Sequence, residues 1–169
     1  MKIKHAITAI CVAMFSFCAT AQNCQYEKEF TDDNTGKKVK ITVQVVLARL
    51  NNNPLYFKAQ SIGDDRRFLK MRYYKYNDFY FRDDREVILF LTNGEQVVLN
   101  PRVNPNESKE SKLQTISSMV IYPLTEEQFS KLRNHPVKNF RYYVATGFVD
   151  LPVKDNKQDQ LMKILKCID

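Results

Sequence analysis

Between Val39 and Leu47 the chain places Val39, Ile41, Val43, Val45 and Leu47 in alternation with Lys40, Thr42 and Gln44. A repeat of two is the side-chain spacing of one face of a β-strand, and a helix cannot gather such residues on one side. The stretch predicts a half-buried strand. The same repeat returns in Leu55, Phe57 and Ala59, and again in Leu69, Met71 and Tyr73. Clusters of turn-forming residues separate these runs: "DDNTG" from Asp32, "NNNP" from Asn51 and "GDDR" from Gly63. The preceding "YEKEF" therefore reads as the other arm of a hairpin. Links this short join antiparallel neighbours.

In "VILFLTNGEQVVLNP", Asn93-Gly94 sits between two apolar arms and predicts a hairpin with a type I′ turn. Val87, Leu89 and Leu91 point one way and Ile88 and Phe90 the other, which predicts a central strand covered on both sides. After Pro101 comes the polar "RVNPNESKESK", an exposed loop rather than a domain boundary, because neither flank is large enough for its own core. Thr125 and Gln128 form a capping box at the start of a helix that buries Phe129 and Leu132 and stops before Pro136. A strand follows on Phe140, Tyr142 and Val144, and "ATG" at 145–147 turns into "FVDLPV". Leu161, Ile164, Leu165 and Ile168 have the spacing of an amphipathic closing helix. The expected class is α+β: a predominantly antiparallel sheet of seven to nine short strands, with two short helices near the C-terminus.

The first residues, "MKIKHAITAICVAMFSFCATAQ", have a basic start, a short apolar run and small residues at Ala19 and Ala21, the pattern of a secretory signal peptide over 1–21. The run is too short for a permanent anchor, and no later segment approaches the length of a membrane span. A lipid-modified cysteine is the rival reading; Cys18 follows Phe17 and Cys24 follows Asn23, where lipoprotein processing needs a small residue. Cleavage leaves residues 22–169, the size of one domain, in an exported compartment, periplasmic or extracellular. Of the four cysteines in the chain, only Cys24 and Cys167 survive this cut. Two lone cysteines in an oxidising compartment predict a disulfide, here one that ties the ends of the mature chain together. The formal charge of +7 includes Lys2 and Lys4. What remains is a mild basic excess spread along the chain, a weak basis for nucleic-acid binding.

Catalytic chemistry finds few residues to work with. His135 is the one histidine beyond the leader, which excludes a multi-histidine zinc site. No G-x-S-x-G elbow or phosphate-cradling glycine loop occurs, so neither a serine hydrolase nor a nucleotide-binding fold is indicated. The paired carboxylates Asp32-Asp33, Asp64-Asp65 and Asp83-Asp84 leave a carboxylate-only hydrolase open, although adjacent aspartates in turns usually face solvent. "DDNTG" lacks the alternating oxygens of a calcium loop. The sequence implies no cofactor and no metal. A more distinctive stretch is "FLKMRYYKYNDFYFRDDR", from Phe68 to Arg85. With Leu69, Met71, Tyr73, Phe79 and Phe81 turned inward, Lys70, Arg72, Tyr74, Tyr76 and Tyr80 form a cationic, tyrosine-rich strip, the composition of a protein hot spot or a sugar-stacking face. The plainer alternative is a solvent face on which tyrosine rings cover the sheet.

The leader ending in Ala-Gln, "LTNGEQVVLNP", "IYPLTEEQFSKLRNHPVKNFRYYV" and the terminal "LMKILKCID" together resemble a family of small exported domains of unknown function from Gram-negative bacteria. In that family an "L-x-N-G-x-x-V-x-L" hairpin precedes a short "Y-x-[IL]-T-x-E-[EQ]" helix, a Pro-initiated strand and a closing helix ending in Cys. The resemblance covers residues 85–169. It implies a secreted or periplasmic single domain and carries no catalytic residues across. The expected function is a non-enzymatic protein-interaction module of the cell envelope; a glycan-binding domain is the alternative, and a carboxylate-only hydrolase comes third.

Overall fold

A computed structural model describes residues 23–50, 53–74, 84–102, 117–144 and 146–169. The predicted leader, Asn51 and Asn52 of the "NNNP" turn, and nearly all of the loop after Pro101 lie outside these residues. The elements are β1 (Tyr26–Thr31), β2 (Lys38–Thr42), β3 (Val45–Leu50), β4 (Asn53–Ile62), β5 (Arg66–Tyr74), β6 (Val87–Leu91), β7 (Gln96–Leu99), β8 (Ser117–Leu124), α1 (Glu126–Asn134), β9 (Val137–Val144), β10 (Gly147–Pro152), a 3-10 turn at Asp155–Lys157, and α2 (Gln160–Lys166). The class is α+β, with every strand pairing antiparallel.

The strands form two sheets. One runs β1-β2-β4-β5-β8 with β3 also on β4, and the other runs β10-β9-β6-β7. Alternation along β4 and β5 turns Leu55, Phe57, Ala59, Leu69, Met71 and Tyr73 inward. They meet Val87, Leu89, Phe140 and Tyr142 of the second sheet in one core. Phe57 and Phe140 touch edge to face at 6.0 Å between ring centroids. Burial pushes the Tyr142 phenol up to about 12, because a phenolate there would lose its hydration.

Three details depart from the expected pattern. The run from Val39 to Leu47 is not one face of one strand. It breaks after Thr42, so Val39 and Ile41 lie on the outer face opposite Ile62 and Gln60, whereas Val45 lies opposite the inward Phe57. Thr42 is fully buried; its hydroxyl accepts the Ala59 N–H at 3.0 Å, which satisfies the polar group inside the core. The Asn93-Gly94 hairpin is a three-residue loop. Leu91 N–H donates to the Glu95 carbonyl at 2.8 Å and Gly94 N–H to the Leu91 carbonyl at 3.1 Å, and Gly94 has φ +89°. This is a turn followed by a left-handed residue rather than a two-residue type I′ turn. The third concerns β6, which is internal to its sheet but covered on one side only: Val87, Leu89 and Leu91 are buried while Ile88 and Phe90 remain partly open.

The helices close one side of the core. Thr125 Oγ1 accepts the Gln128 N–H at 3.2 Å and the Gln128 side chain accepts the Thr125 N–H at 2.8 Å, completing the capping box. Gln128 also donates to the Val98 carbonyl at 2.7 Å, fastening α1 to β7. Leu161, Ile164 and Leu165 of α2 and the following Ile168 are buried as their spacing predicts. Cys24 and Cys167 form a disulfide, with Cα atoms 5.5 Å apart and 143 positions between them in sequence. Beside it the Tyr26 hydroxyl donates to the Cys167 carbonyl at 2.7 Å. The start of β1 and the end of α2 are thereby held together.

Candidate binding surface

The hairpin β4–β5 determines what stands on the outer face of the larger sheet. Its turn pairs Ile62 with Arg66, and the register carried back from there sets Lys58 directly opposite Lys70 and Tyr56 opposite Arg72. On the far side of β5, Lys70 faces Ile121 and Arg72 faces Met119 of β8. The face thus carries two adjacent rows, Lys58-Lys70-Ile121 and Tyr56-Arg72-Met119. A bulge in β1 between Tyr26 and Lys28 turns Glu27 onto the same side, where its carboxylate forms an ion pair with Lys58.

The charges here are partly withdrawn from water. The Lys58 side chain is 13 % exposed. Burial lowers the Lys70 pKa, and the positive charge of Lys58 lowers it further against the opposing pull of Glu27. A hydrogen bond from Lys58 holds the Glu27 carboxyl below its ordinary range. Apolar groups flank the cations: Met119 is 45 % exposed, and Phe30, elsewhere on this face, is 47 % exposed.

Lys70 and Arg72 thus share the outward face assigned to them from alternation. Tyr74 ends β5, with its backbone paired to Ser117, while Tyr76 and Tyr80 lie outside the described residues. Lys58 and Glu27 also belong to this surface, beyond the residues that alternation along β5 points to. The signal for Lys58 was present, since counting back from the "GDDR" turn pairs it with Lys70; the β1 bulge that delivers Glu27 leaves no mark in the sequence.

The outer face of the smaller sheet holds a second aromatic group, which no sequence pattern marks. Arg141 grips Asp150 through two hydrogen bonds of 2.6 and 2.7 Å and lies over Phe148 at 4.0 Å and Phe90 at 5.3 Å. Arg85 covers Tyr143 at 4.8 Å. Each guanidinium stacks on a ring face that a sugar could otherwise use, while Phe148 remains 55 % exposed.

The remaining chemical candidates disperse. Asp32 is committed to its own turn, where it accepts the Thr35 and Asn34 N–H groups at 2.9 and 3.1 Å, and Asp65 pairs with Lys37 at 3.1 Å. Asp83 lies outside the described residues. His135 caps the end of α1, its N–H donating to the Lys131 carbonyl at 3.0 Å. An open groove of about 680 Å³ lies between Asn23–Gln25, the strand edge at Thr42–Val45 and α2. Its lining includes Lys163 and Lys166 but no carboxylate and no histidine. Among the described residues no group of three or more His, Cys, Asp or Glu is placed to hold a metal ion, and no helix is long and apolar enough to cross a membrane. Compared with known proteins, the chain matches no family model, no curated protein and no solved structure.

Proposed function

We propose that this chain is an exported, non-enzymatic protein-binding module of the cell envelope whose working surface is the outer face of the larger sheet. The observation that carries the reading is the joining of Lys58, Lys70 and Arg72 with the exposed Met119 on two neighbouring rows. Arginine and apolar anchors on a flat face are what hot spots are made of. The disulfide supports export, because such bridges persist in oxidising compartments, and the leader-like first 21 residues and the resemblance to Gram-negative exported domains point the same way. The glycan alternative needs open aromatic faces; on the smaller sheet Arg141 and Arg85 already stack on Phe90, Phe148 and Tyr143, and of these rings Phe148, 55 % exposed, keeps surface for a sugar. A carboxylate-only hydrolase needs two carboxylates across a cleft, and the groove beside α2 has none.

The test is capture of partners from envelope extract by the oxidised mature protein. Arg72→Glu with Met119→Glu should lose the partner, and Lys154→Glu, an exposed change beyond β10, should retain it. Equal recovery by wild type and the double variant would show that this face is not the binding surface.

A further inference from the structure

Lys58 and Lys70 stand opposite each other across an antiparallel pair, where Cβ atoms are about 5 Å apart and like charges destabilise the sheet. Neighbouring strands offer no remedy. Glu27 from β1 balances one charge, Arg72 adds another one row along, and β8 contributes the uncharged Ile121 and Met119. Among the described residues neither Lys70 nor Arg72 has an ion-pair partner. Among the described residues Lys58, Lys70 and Arg72 face one carboxylate, Glu27, which Lys28 on the same face also approaches, so the partly desolvated patch keeps a surplus of at least two positive charges. Local arrangements that oppose stability concentrate at functional sites.

We propose that Lys58, Lys70 and Arg72 form a binding site for a phosphomonoester group. Such a group carries close to two negative charges at neutral pH, which matches the surplus. It also accepts from both kinds of donor present, ammonium points and a guanidinium fork. Ile121 and Met119 would meet the apolar body to which the phosphate is attached. The inference rests on the same sheet face as the proposed function and names the chemistry recognised there; a free phosphate and a lipid headgroup both supply that chemistry.

The test uses the full oxidised mature chain and two probes. Inorganic phosphate is titrated by amide NMR against chloride at matched ionic strength, and vesicles of phosphatidylcholine with and without phosphatidic acid are co-sedimented with the protein. The expected result is saturable, phosphate-specific shifts centred on Lys58, Lys70 and Arg72, weakened about tenfold or more in Lys70→Gln/Arg72→Gln. Sedimentation with phosphatidic acid vesicles beyond that with phosphatidylcholine alone assigns the source to a lipid; phosphate shifts without it assign a soluble phosphate. Lys70→Gln removes a like-charge neighbour and should melt no lower than wild type, and Lys70→Arg should retain binding. No phosphate response above chloride together with no phosphatidic acid preference overturns the site, as does undiminished binding in the double variant or lost binding in Lys70→Arg. Protein capture that fails while phosphate binding persists sinks only the protein-partner reading, and the reverse sinks only this one.

Discussion

Replacing both members of the bridge, Cys24→Ser with Cys167→Ser, should be among the most damaging changes that leave the core side chains intact. The loop it closes spans 143 positions. For a loop of that length the chain-entropy relation gives about 17 cal/mol/K, or about 5 kcal/mol at 25 °C. Residual structure in the unfolded chain trims such figures, so the expected loss is about 3–5 kcal/mol. In a domain of this size that corresponds to a fall in Tm of about 10–15 °C. The bridge also has a local role. It anchors β1, whose exposed residues bury little against the core, so without it the β1 amides should exchange with solvent far faster than those of β6. The assay is urea unfolding and calorimetry of the oxidised wild type and the serine pair, with hydrogen exchange read by NMR. A loss below about 1 kcal/mol, with β1 exchanging as slowly as before, would refute the reasoning.

Two smaller perturbations test the local physics. Thr125→Ala removes the hydroxyl that accepts the Gln128 N–H and should cost about 1 kcal/mol in urea unfolding, with Thr125→Ser close to wild type. Asp150 should contribute to stability in a pH-dependent way: the hydrogen bond from Arg141 holds its carboxyl below the ordinary range, so the contribution is complete above the unfolded value of about 3.9 and fades as pH falls toward the lowered folded value. Its side chain is 37 % exposed, and solvent screening limits the effect of Asp150→Asn to about 1 kcal/mol or less at neutral pH. Unfolding midpoints of the two proteins between pH 2.5 and pH 7 should converge at the acid end; a constant gap would contradict the assignment.

How legible a feature is in the sequence depends on the range of the interaction that sets it. Short-range ones are legible. The capping box at Thr125, the burial stripe of α2, the inward set of β4 and β5, and the pairing of Cys24 with Cys167 all follow from spacing or from residue type. The reading fails where a strand changes face, because period two specifies which residues share a side and not which side is buried. Thr42 shows this well. It appears outward in the alternation, yet the register of β2 on β4 turns it inward, where it is fully buried and the Ala59 N–H satisfies its hydroxyl. At "TNG" the dipeptide announces a hairpin, but hydrogen bonds to Glu95 determine the loop length.

The candidate surface divides along the same line. Sequence by itself determined that Lys70 and Arg72 leave the core side of their strand, since neighbouring side chains on a pleated backbone must diverge. Only the tertiary structure decided that Lys58 stands against Lys70, that the β1 bulge brings in Glu27, and that Arg141 stacks on Phe90 and Phe148 of the other sheet. Those outcomes depend on register and on which strands become neighbours, and both are settled by the collective burial of the core rather than by any one segment.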